Sequence, residues 1–216
     1  MMMPCLSDTV ICFDLDDTLY KEIDFVASSY GEIAETIGHP DAVQTMLAWF
    51  YAGENVFEKL IASYGLKLTV SDLLKIYRNH YPHISLEPRV RVFLDNLKVA
   101  GAKLGLITDG RSLSQRNKLE SLGLDGFFDI VIISEEFGSE KPDTRNFLAV
   151  MDSFLQRKRF IYVADNPKKD FIAPNRLGWS TYCLKSDGRN IHKQDFLLDC
   201  EYLPQYWVNT LYEVIK

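Results

Sequence analysis

The sequence predicts a doubly wound α/β domain with a parallel sheet, into which a bundle of four helices is inserted. Two observations predict this fold class. Apolar, β-branched runs alternate with helical patterns over most of the chain, as they do in βαβ units. Residues 21–88 break the alternation, because they hold amphipathic segments but no convincing strand. The length of 216 residues suits one domain with an inserted module, and such a chain needs no disulfide or metal to fold.

Five apolar runs are the predicted strands. They cover residues 9–13, 103–107, 129–133, 160–164 and, more weakly, 180–184. The first four are apolar on both faces, which is typical of central strands with helices on either side. Helical patterns lie between the runs, at residues 89–100, 112–122, 144–155 and 170–177. In such a sheet, ligands gather at the carboxyl ends of the strands.

The inserted stretch contains four amphipathic segments. They cover residues 24–37, 42–51, 56–64 and 71–81, with small-residue turns between them. This pattern predicts a helical bundle over residues 21–88, and an α/β core formed by residues 1–20 plus 89–216. Because the insertion begins directly after an acidic cluster at the end of the first strand, we expect the bundle to cover that cluster as a cap.

The last part of the chain, residues 186–216, is rich in aromatic side chains. An amphipathic pattern over residues 203–215, after Pro204, predicts a helix that packs on the edge of the sheet. We assign no activity to this segment, and an oligomer contact is a weaker alternative for it.

Composition excludes several classes of function. The net charge of −6 argues against a nucleic-acid-binding protein, which needs a clustered excess of Lys and Arg. No segment reaches the roughly 20 consecutive apolar residues of a membrane span. Residues 1–7 lack the features of a signal peptide, and the cysteines form no CxxC pair. We therefore expect a cytoplasmic monomer or weak homodimer that acts on a small molecule.

Four short polar segments lie at or shortly after the ends of four predicted core strands. They are Asp14-Leu-Asp-Asp-Thr18, Thr108-Asp-Gly110, Glu140-Lys-Pro142 and Asp165-Asn-Pro-Lys-Lys-Asp170. Because the carboxyl ends of parallel strands lie at one edge of the sheet, we expect the four segments to line one crevice there. Crowded carboxylates without His or Cys favour Mg²⁺, which shares its coordination with substrate phosphate. Lys141 and Thr108 then suit phosphate binding, so the segments together indicate phosphoryl chemistry.

These four segments, in this order and at this spacing, resemble the motifs of the haloacid dehalogenase superfamily of hydrolases. The first motif, DxDxT after an apolar strand, matches residues 13–20, and the second is a Thr or Ser at a strand end, as in Thr108. The third is a lysine before proline, as in Lys141, and the fourth is the acidic pair Asp165 and Asp170. The resemblance covers residues 9–185 and implies a Rossmann-like core with a helical cap inserted after the first motif.

The resemblance also implies roles for the motif residues. Asp14 would be the nucleophile that forms an aspartyl phosphate, and Asp16 the general acid and base. The Asp14 side chain, the Asp16 backbone carbonyl and Asp165 would hold Mg²⁺, with Asp170 helping directly or through water. The phosphoryl group would be bound by Thr108, the backbone of Asp109 and Gly110, and Lys141. Dehalogenases of the family lack an acid at the position of Asp16, so its presence favours a phosphatase.

Several alternatives stay open at this point. A phosphoglucomutase-like transferase has the same four motifs, and an idle module that only binds a phosphorylated ligand would keep the fold. Arg111 directly follows the second motif, so it is either a contact for an anionic leaving group or a surface arginine. The substrate is equally open among sugar phosphates, nucleoside monophosphates, flavin-type phosphates and acidic sugar phosphates. Pro174 predicts that the helix after the fourth motif begins near that residue.

Overall fold

A computed structural model describes residues 4–215, in which a parallel sheet alternates with helices. The strands are β1 (Thr9–Phe13), β2 (Lys103–Thr108), β3 (Ile130–Ile133), β4 (Arg159–Ala164), β5 (Ser180–Leu184) and β6 (Tyr206–Val208). The helices are α1 (Glu22–Thr36), α2 (Ala42–Tyr51), α3 (Val56–Tyr64), α4 (Val70–Asn79), α5 (Pro88–Val99), α6 (Ser112–Ser121), α7 (Ser134–Phe137), α8 (Arg145–Ser153) and α9 (Ile172–Arg176). The predicted core boundaries also include residues 1–3 and 216, which lie outside the described residues.

The sheet has the order β3-β2-β1-β4-β5-β6, and all of its strand pairs are parallel. The doubly wound α/β class predicted from the sequence is therefore confirmed. Strand β1 lies in the middle, with Phe13 opposite Leu106 of β2 and Val163 of β4. The strand order reverses beside β1, and the crevice of an open α/β sheet forms at such a point. This topology brings the ends of β1, β2 and β4 side by side.

Apolar side chains cover both faces of the sheet, as the continuous apolar runs predict. Along β1, Ile11 and Phe13 belong to one buried cluster, while Val10 and Cys12 belong to the cluster on the opposite face. Successive side chains of a strand point to opposite faces, so one fully buried strand contributes to two cores. The first strand is consequently held in place from both sides.

Helices α1–α4, here called the cap helices, pack around an apolar cluster of their own. Its fully buried members include Ile33, Met46, Leu60 and Leu73. A capping box between Thr69 and Asp72 satisfies the first backbone N–H groups of α4. The four helical segments predicted from the sequence are thus all present, with ends that differ by at most two residues.

The prediction of a helix over residues 203–215 is wrong. Residues Tyr206–Val208 form β6, which pairs with β5, and a 3₁₀ turn follows at Leu211–Ile215. The β-forming side chains of Tyr206, Trp207 and Val208 suit an edge strand, and Val208 and Leu211 still bury themselves as the amphipathic pattern requires. The spacing of the apolar residues correctly indicates which of them are buried, but the backbone there forms a short strand followed by a turn.

The helix after the fourth motif begins at Ile172, and Pro174 lies within its first turn. Proline is tolerated there because the first N–H groups of a helix have no partner within the helix. The short helix α7 was not predicted. Across residues 4–215, no helix is both long enough and apolar enough to cross a membrane.

Candidate active site

Three buried carboxylates meet at the ends of β1 and β4. Asp14 follows β1, Asp165 follows β4, and Asp170 precedes α9; carboxylate oxygens of the three lie within 4.8 Å of one another. Their residues are 4%, 3% and 0% exposed. The sequence predicted that these three would converge, and the structure brings them together.

Lys141 supplies the positive charge inside this cluster. Its Nζ lies 2.8 Å from Oδ1 of Asp14 and 2.7 Å from Oδ1 of Asp170, and it donates a hydrogen bond of 3.1 Å to the Tyr162 hydroxyl. The backbone N–H of Lys141 donates to Oδ1 of Asp109 at 3.0 Å. Lys141 therefore lies beside the nucleophile candidate and is itself buried.

One lysine does not balance three buried carboxylates. Burial raises the pKa of Asp14, although the charge of Lys141 opposes the effect. Burial and the charge of Asp170 raise the pKa of Asp165. Burial would lower the pKa of Lys141, but the charges of Asp14 and Asp170 raise it well above its ordinary value. The cluster thus carries an excess of negative charge that a cation would relieve.

Asp16 lies two residues further on but has different partners. Its Oδ1 accepts from Lys118 Nζ at 2.7 Å and from the Tyr20 hydroxyl, and its Oδ2 accepts from Gln115 Nε2 at 3.1 Å. Burial would raise the pKa of Asp16, yet the charge and hydrogen bond of Lys118, with the bonds from Tyr20 and Gln115, lower it. The side chain is therefore held as a carboxylate and lies outside the cluster of three acids.

Gln115 and Lys118 were not predicted from the sequence. Both lie on the buried face of α6, three residues apart, and Lys118 Nζ is 4.3 Å from the centre of the Phe25 ring of α1. Gln115 also donates to Thr108 Oγ1 at 2.6 Å. The available signal was that α6 has no apolar stripe, so its inward face had to carry polar groups with partners.

The second motif is held in place around Thr108. Oδ2 of Asp109 pairs with Lys169 Nζ at 3.1 Å, and the N–H of Gly110 donates to Ser134 Oγ at 2.9 Å. Gly110 has φ of +149°, and a Cβ there would come within 3.2 Å of Gln115. The positive φ favours glycine at this turn, and a Cβ would in addition crowd the Gln115 side chain.

A small cavity of about 80 Å³ opens between the sheet and the cap helices. Its lining consists of Asp14, Asp16, Asp17, Glu22, Thr108, Asp109, Asp165, Asn166, Lys169 and His192. Lys141 and Asp170 are not among the lining residues and lie buried against Asp14. Among the predicted residues, Gly110 and Arg111 are exposed and line a separate depression with Glu140.

A segment near the C-terminus, residues 186–194 and here called the strap, runs over this cavity. Asn190 Nδ2 donates to Oδ2 of Asp165 at 2.9 Å, and Gln194 Nε2 donates to the Asp165 carbonyl at 2.7 Å. The N–H of Ile191 donates to Oδ2 of Asp17 at 2.8 Å, and His192 forms part of the wall. No sequence pattern predicts these contacts, since they join residues that are far apart in the chain.

Comparisons with known proteins agree with the fold and the motifs. The family model described as "Haloacid dehalogenase-like hydrolase" matches residues 11–183. A glyceraldehyde 3-phosphate phosphatase of Methanocaldococcus jannaschii is 33% identical, over 95% of this chain and 94% of that protein. A phosphoserine phosphatase of Thermus thermophilus is also 33% identical, over 63% of this chain and 61% of that protein.

Solved structures give the same architecture. The HAD-hydrolase YfnB of Bacillus subtilis, bound to magnesium, superimposes with a TM-score of 0.72 at 23% identity, over 95% of this chain and 96% of that one. A HAD phosphatase of Thermococcus onnurineus gives a TM-score of 0.58 at 22% identity, over 95% of each chain. Fold and motif order together define an α/β hydrolase with a carboxylate site at the strand ends. The chain belongs to the haloacid dehalogenase-like hydrolases, which confirms the family predicted from its four motifs.

Proposed function

We propose that this protein hydrolyses the phosphate monoester of a small metabolite, with Asp14 as nucleophile and Asp16 as general acid and base. The predicted enzyme class, a phosphatase of this family, is confirmed by the phosphatases to which most of the chain is similar. One observation carries the mechanism: Asp14 and Asp16 line the same small cavity while each belongs to its own network of partners. Two carboxylates in different surroundings can perform different tasks.

The donor set fits Mg²⁺. Asp14, Asp165 and Asp170 offer buried carboxylate oxygens close together, without a His or Cys, and burial raises the pKa of Asp14 and Asp165. Because the Asp16 side chain is engaged by Lys118, any contribution of Asp16 to the metal would come from its backbone carbonyl. When bound, Mg²⁺ would offset negative charge on the carboxylates and on the substrate phosphate, so that they can approach one another.

The chain's own groups account for the two chemical steps. An oxygen of Asp14 attacks phosphorus, the ester P–O bond breaks, and the leaving oxygen takes a proton from Asp16. Asp16 then accepts a proton from water as that water attacks the aspartyl phosphate and releases Asp14. Thr108, Lys169 and the backbone near Asp109 line the cavity where the phosphoryl group would lie, while Lys141 offsets the charge of Asp14 from beneath.

The proton for the first step needs a source, because Asp16 is held as a carboxylate by Lys118. Phosphate monoesters keep one proton on part of the population near neutral pH, since their second pKa is about 6. The substrate monoanion therefore carries a proton that can pass through Asp16 to the leaving oxygen as the ester P–O bond breaks.

The experiment measures phosphate release from a panel of phosphomonoesters with purified protein and Mg²⁺. The panel includes glyceraldehyde 3-phosphate, phosphoserine and a pyrimidine nucleoside monophosphate, which the names of curated relatives suggest. Release from at least one compound, lost on removal of Mg²⁺ by a chelator, supports the proposal. Isomerisation of a sugar phosphate without release would indicate a mutase, and binding without turnover an idle module; either result would contradict the proposal.

A further inference from the structure

The cap helices contribute one acidic side chain to the lining of the cavity. Glu22 is the first residue of α1, and its N–H donates to Oδ1 of Asp17 at 3.0 Å. This bond fixes the start of the helix where it enters from the first motif. Glu22 lines the same cavity as Asp14 and Asp16.

The Glu22 carboxylate has no hydrogen bond or ion pair with any side chain or backbone group in residues 4–215. Burial and the charges of Asp16, Asp17 and Asp14 raise its pKa, and only Lys118, already paired with Asp16, opposes them. A half-buried carboxylate among like charges is unfavourable unless a ligand satisfies it. The proposed chemical steps make no use of Glu22, so its place in the cavity needs another explanation.

A structural role at the helix start does not supply that explanation. Acidic side chains in the first turn stabilise a helix through its dipole, but Asp24 occupies the same turn of α1 and is exposed. An exposed carboxylate provides this benefit without the cost of burial among other acids. Glu22 instead points to recognition of something within the cavity.

We infer that Glu22 is a specificity-determining residue, which accepts a hydrogen bond from a hydroxyl group of a short phosphorylated polyhydroxy substrate. This inference rests on the proposed function. The small cavity favours a short leaving group. The surrounding carboxylates disfavour a leaving group with a second negative charge. A hydroxyl avoids that repulsion and satisfies the unpaired carboxylate by donating a hydrogen bond to it.

The test compares sn-glycerol 3-phosphate with n-propyl phosphate, which have the same three-carbon chain and differ in their hydroxyl groups. Both are assayed with Mg²⁺ for wild type, Glu22→Gln and Glu22→Leu. The matched control is Asp24→Asn, an exposed carboxylate of the same helical turn. Wild type and control are expected to prefer glycerol phosphate. In Glu22→Leu, kcat/KM for glycerol phosphate falls by about 10- to 100-fold and kcat/KM for propyl phosphate is retained.

Glu22→Gln keeps an acceptor oxygen, so it is expected to retain an intermediate preference. Retained hydrolysis of propyl phosphate also shows that each variant is folded. An equal preference in wild type and Glu22→Leu, or no preference in wild type, overturns the role of Glu22 while the phosphatase function stands. A wild-type protein that releases phosphate from no phosphomonoester overturns the proposed function and this inference together.

Discussion

The two sides of the cavity are built in different ways. On the sheet side, Asp14 and Asp165 leave the ends of two adjacent, fully paired strands, and their carboxylates are buried with Lys141. On the cap side, Glu22 comes from a helix start and His192 from an irregular strap. The sheet fixes the reacting groups, whereas the groups that would meet the leaving group depend on packing between distant segments. The proposed chemistry and the proposed selectivity therefore depend on separate parts of the fold.

Asp14 and Asp16 show the same contrast at close range. Burial raises the pKa of Asp14, while Lys118 and its hydrogen-bonding neighbours lower the pKa of Asp16. The two carboxylates leave one strand end, yet the first turns toward the sheet core and the second toward α6 and the cap helices. Substitutions on the two sides are therefore expected to have different effects on activity, stability and metal binding.

The largest effect is expected from Asp14→Asn on the sheet side. The amide keeps the size of the side chain but is a poor nucleophile, so kcat should fall by at least about 10⁴-fold. Phosphate release in a stopped assay with Mg²⁺ measures it. The control is Asp152→Asn, an exposed carboxylate of α8, which should keep wild-type activity. Comparable turnover in the two variants would remove Asp14 from the mechanism.

The next largest effect is expected on stability, when each of the two buried lysines is replaced. Lys141→Met removes the one ammonium group that contacts both Asp14 and Asp170 among the described residues, and should lower the free energy of unfolding of metal-free protein by about 3–5 kcal/mol. Lys118→Met should cost less, because Asp16 keeps its bonds to Tyr20 and Gln115 and is partly exposed. Urea unfolding measures both. Equal losses would show that the two sides do not differ in this respect.

The third prediction concerns pH and stability without metal. Asp14 and Asp165 have raised pKa values in the fold, so they keep protons that an unfolded aspartate loses above about pH 4. Unfolding then releases protons, and the free energy of unfolding falls as the pH rises above that value. Asp16, whose pKa is lowered, has the opposite effect only near and below about pH 4.

Because Mg²⁺ binds the deprotonated carboxylates, it should raise the Tm more at about pH 8 than at about pH 5.5. Thermal unfolding with and without Mg²⁺ at both pH values measures this. In Asp165→Asn the pH dependence should become shallower. A Tm of metal-free protein that rises over this range would contradict the assignment.

A smaller effect is expected from Asn190→Ala in the strap. Asn190 holds one oxygen of Asp165, so its loss should weaken Mg²⁺ binding by about 10-fold. Calorimetric titration with Mg²⁺ alone measures the affinity without relying on activity. Asn209→Ala, an exposed asparagine further along the chain, is the control. Unchanged affinity in Asn190→Ala would show that the strap does not help to orient Asp165 for Mg²⁺ binding.

The smallest effect is expected from Arg111→Ala. The side chain is exposed and lines a depression apart from the cavity, so kcat/KM should change by less than about twofold. Kinetics on the best substrate of the panel measure it. A tenfold rise in KM would instead place Arg111 in contact with the leaving group.

The sequence was sufficient for the sheet side because its signals are local. Asp14, Thr108 and Asp165 each lie at the end of an apolar run, and parallel strands bring their carboxyl ends to one edge. Lys141 lies eight residues after the end of β3, where the strand-end position is a weaker signal, and the need for a cation beside the acids and the resemblance to the family both indicated its role. These residues meet as expected, and their catalytic roles stay predictions.

The residues on the cap side of the cavity could not be predicted from local sequence patterns. Glu22 looks like an ordinary acidic residue in a first helical turn, and only the tertiary fold brings it to the cavity. Asn190 reaches Asp165 through a loop with no regular pattern. The error at residues 203–215 has a related cause: a short strand followed by a turn can bury apolar residues at intervals that resemble a helix.

The central position of β1 has a consequence for biosynthesis. This strand is translated first, but its partners β2 and β4 begin at Lys103 and Arg159, and the strap follows later still. At about 5–20 residues per second, the apolar segment Thr9–Phe13 stays without its sheet partners for several seconds. In this interval the nascent chain exposes an unpaired, uncharged β-forming segment, and among the described strands β1 waits longest for a partner.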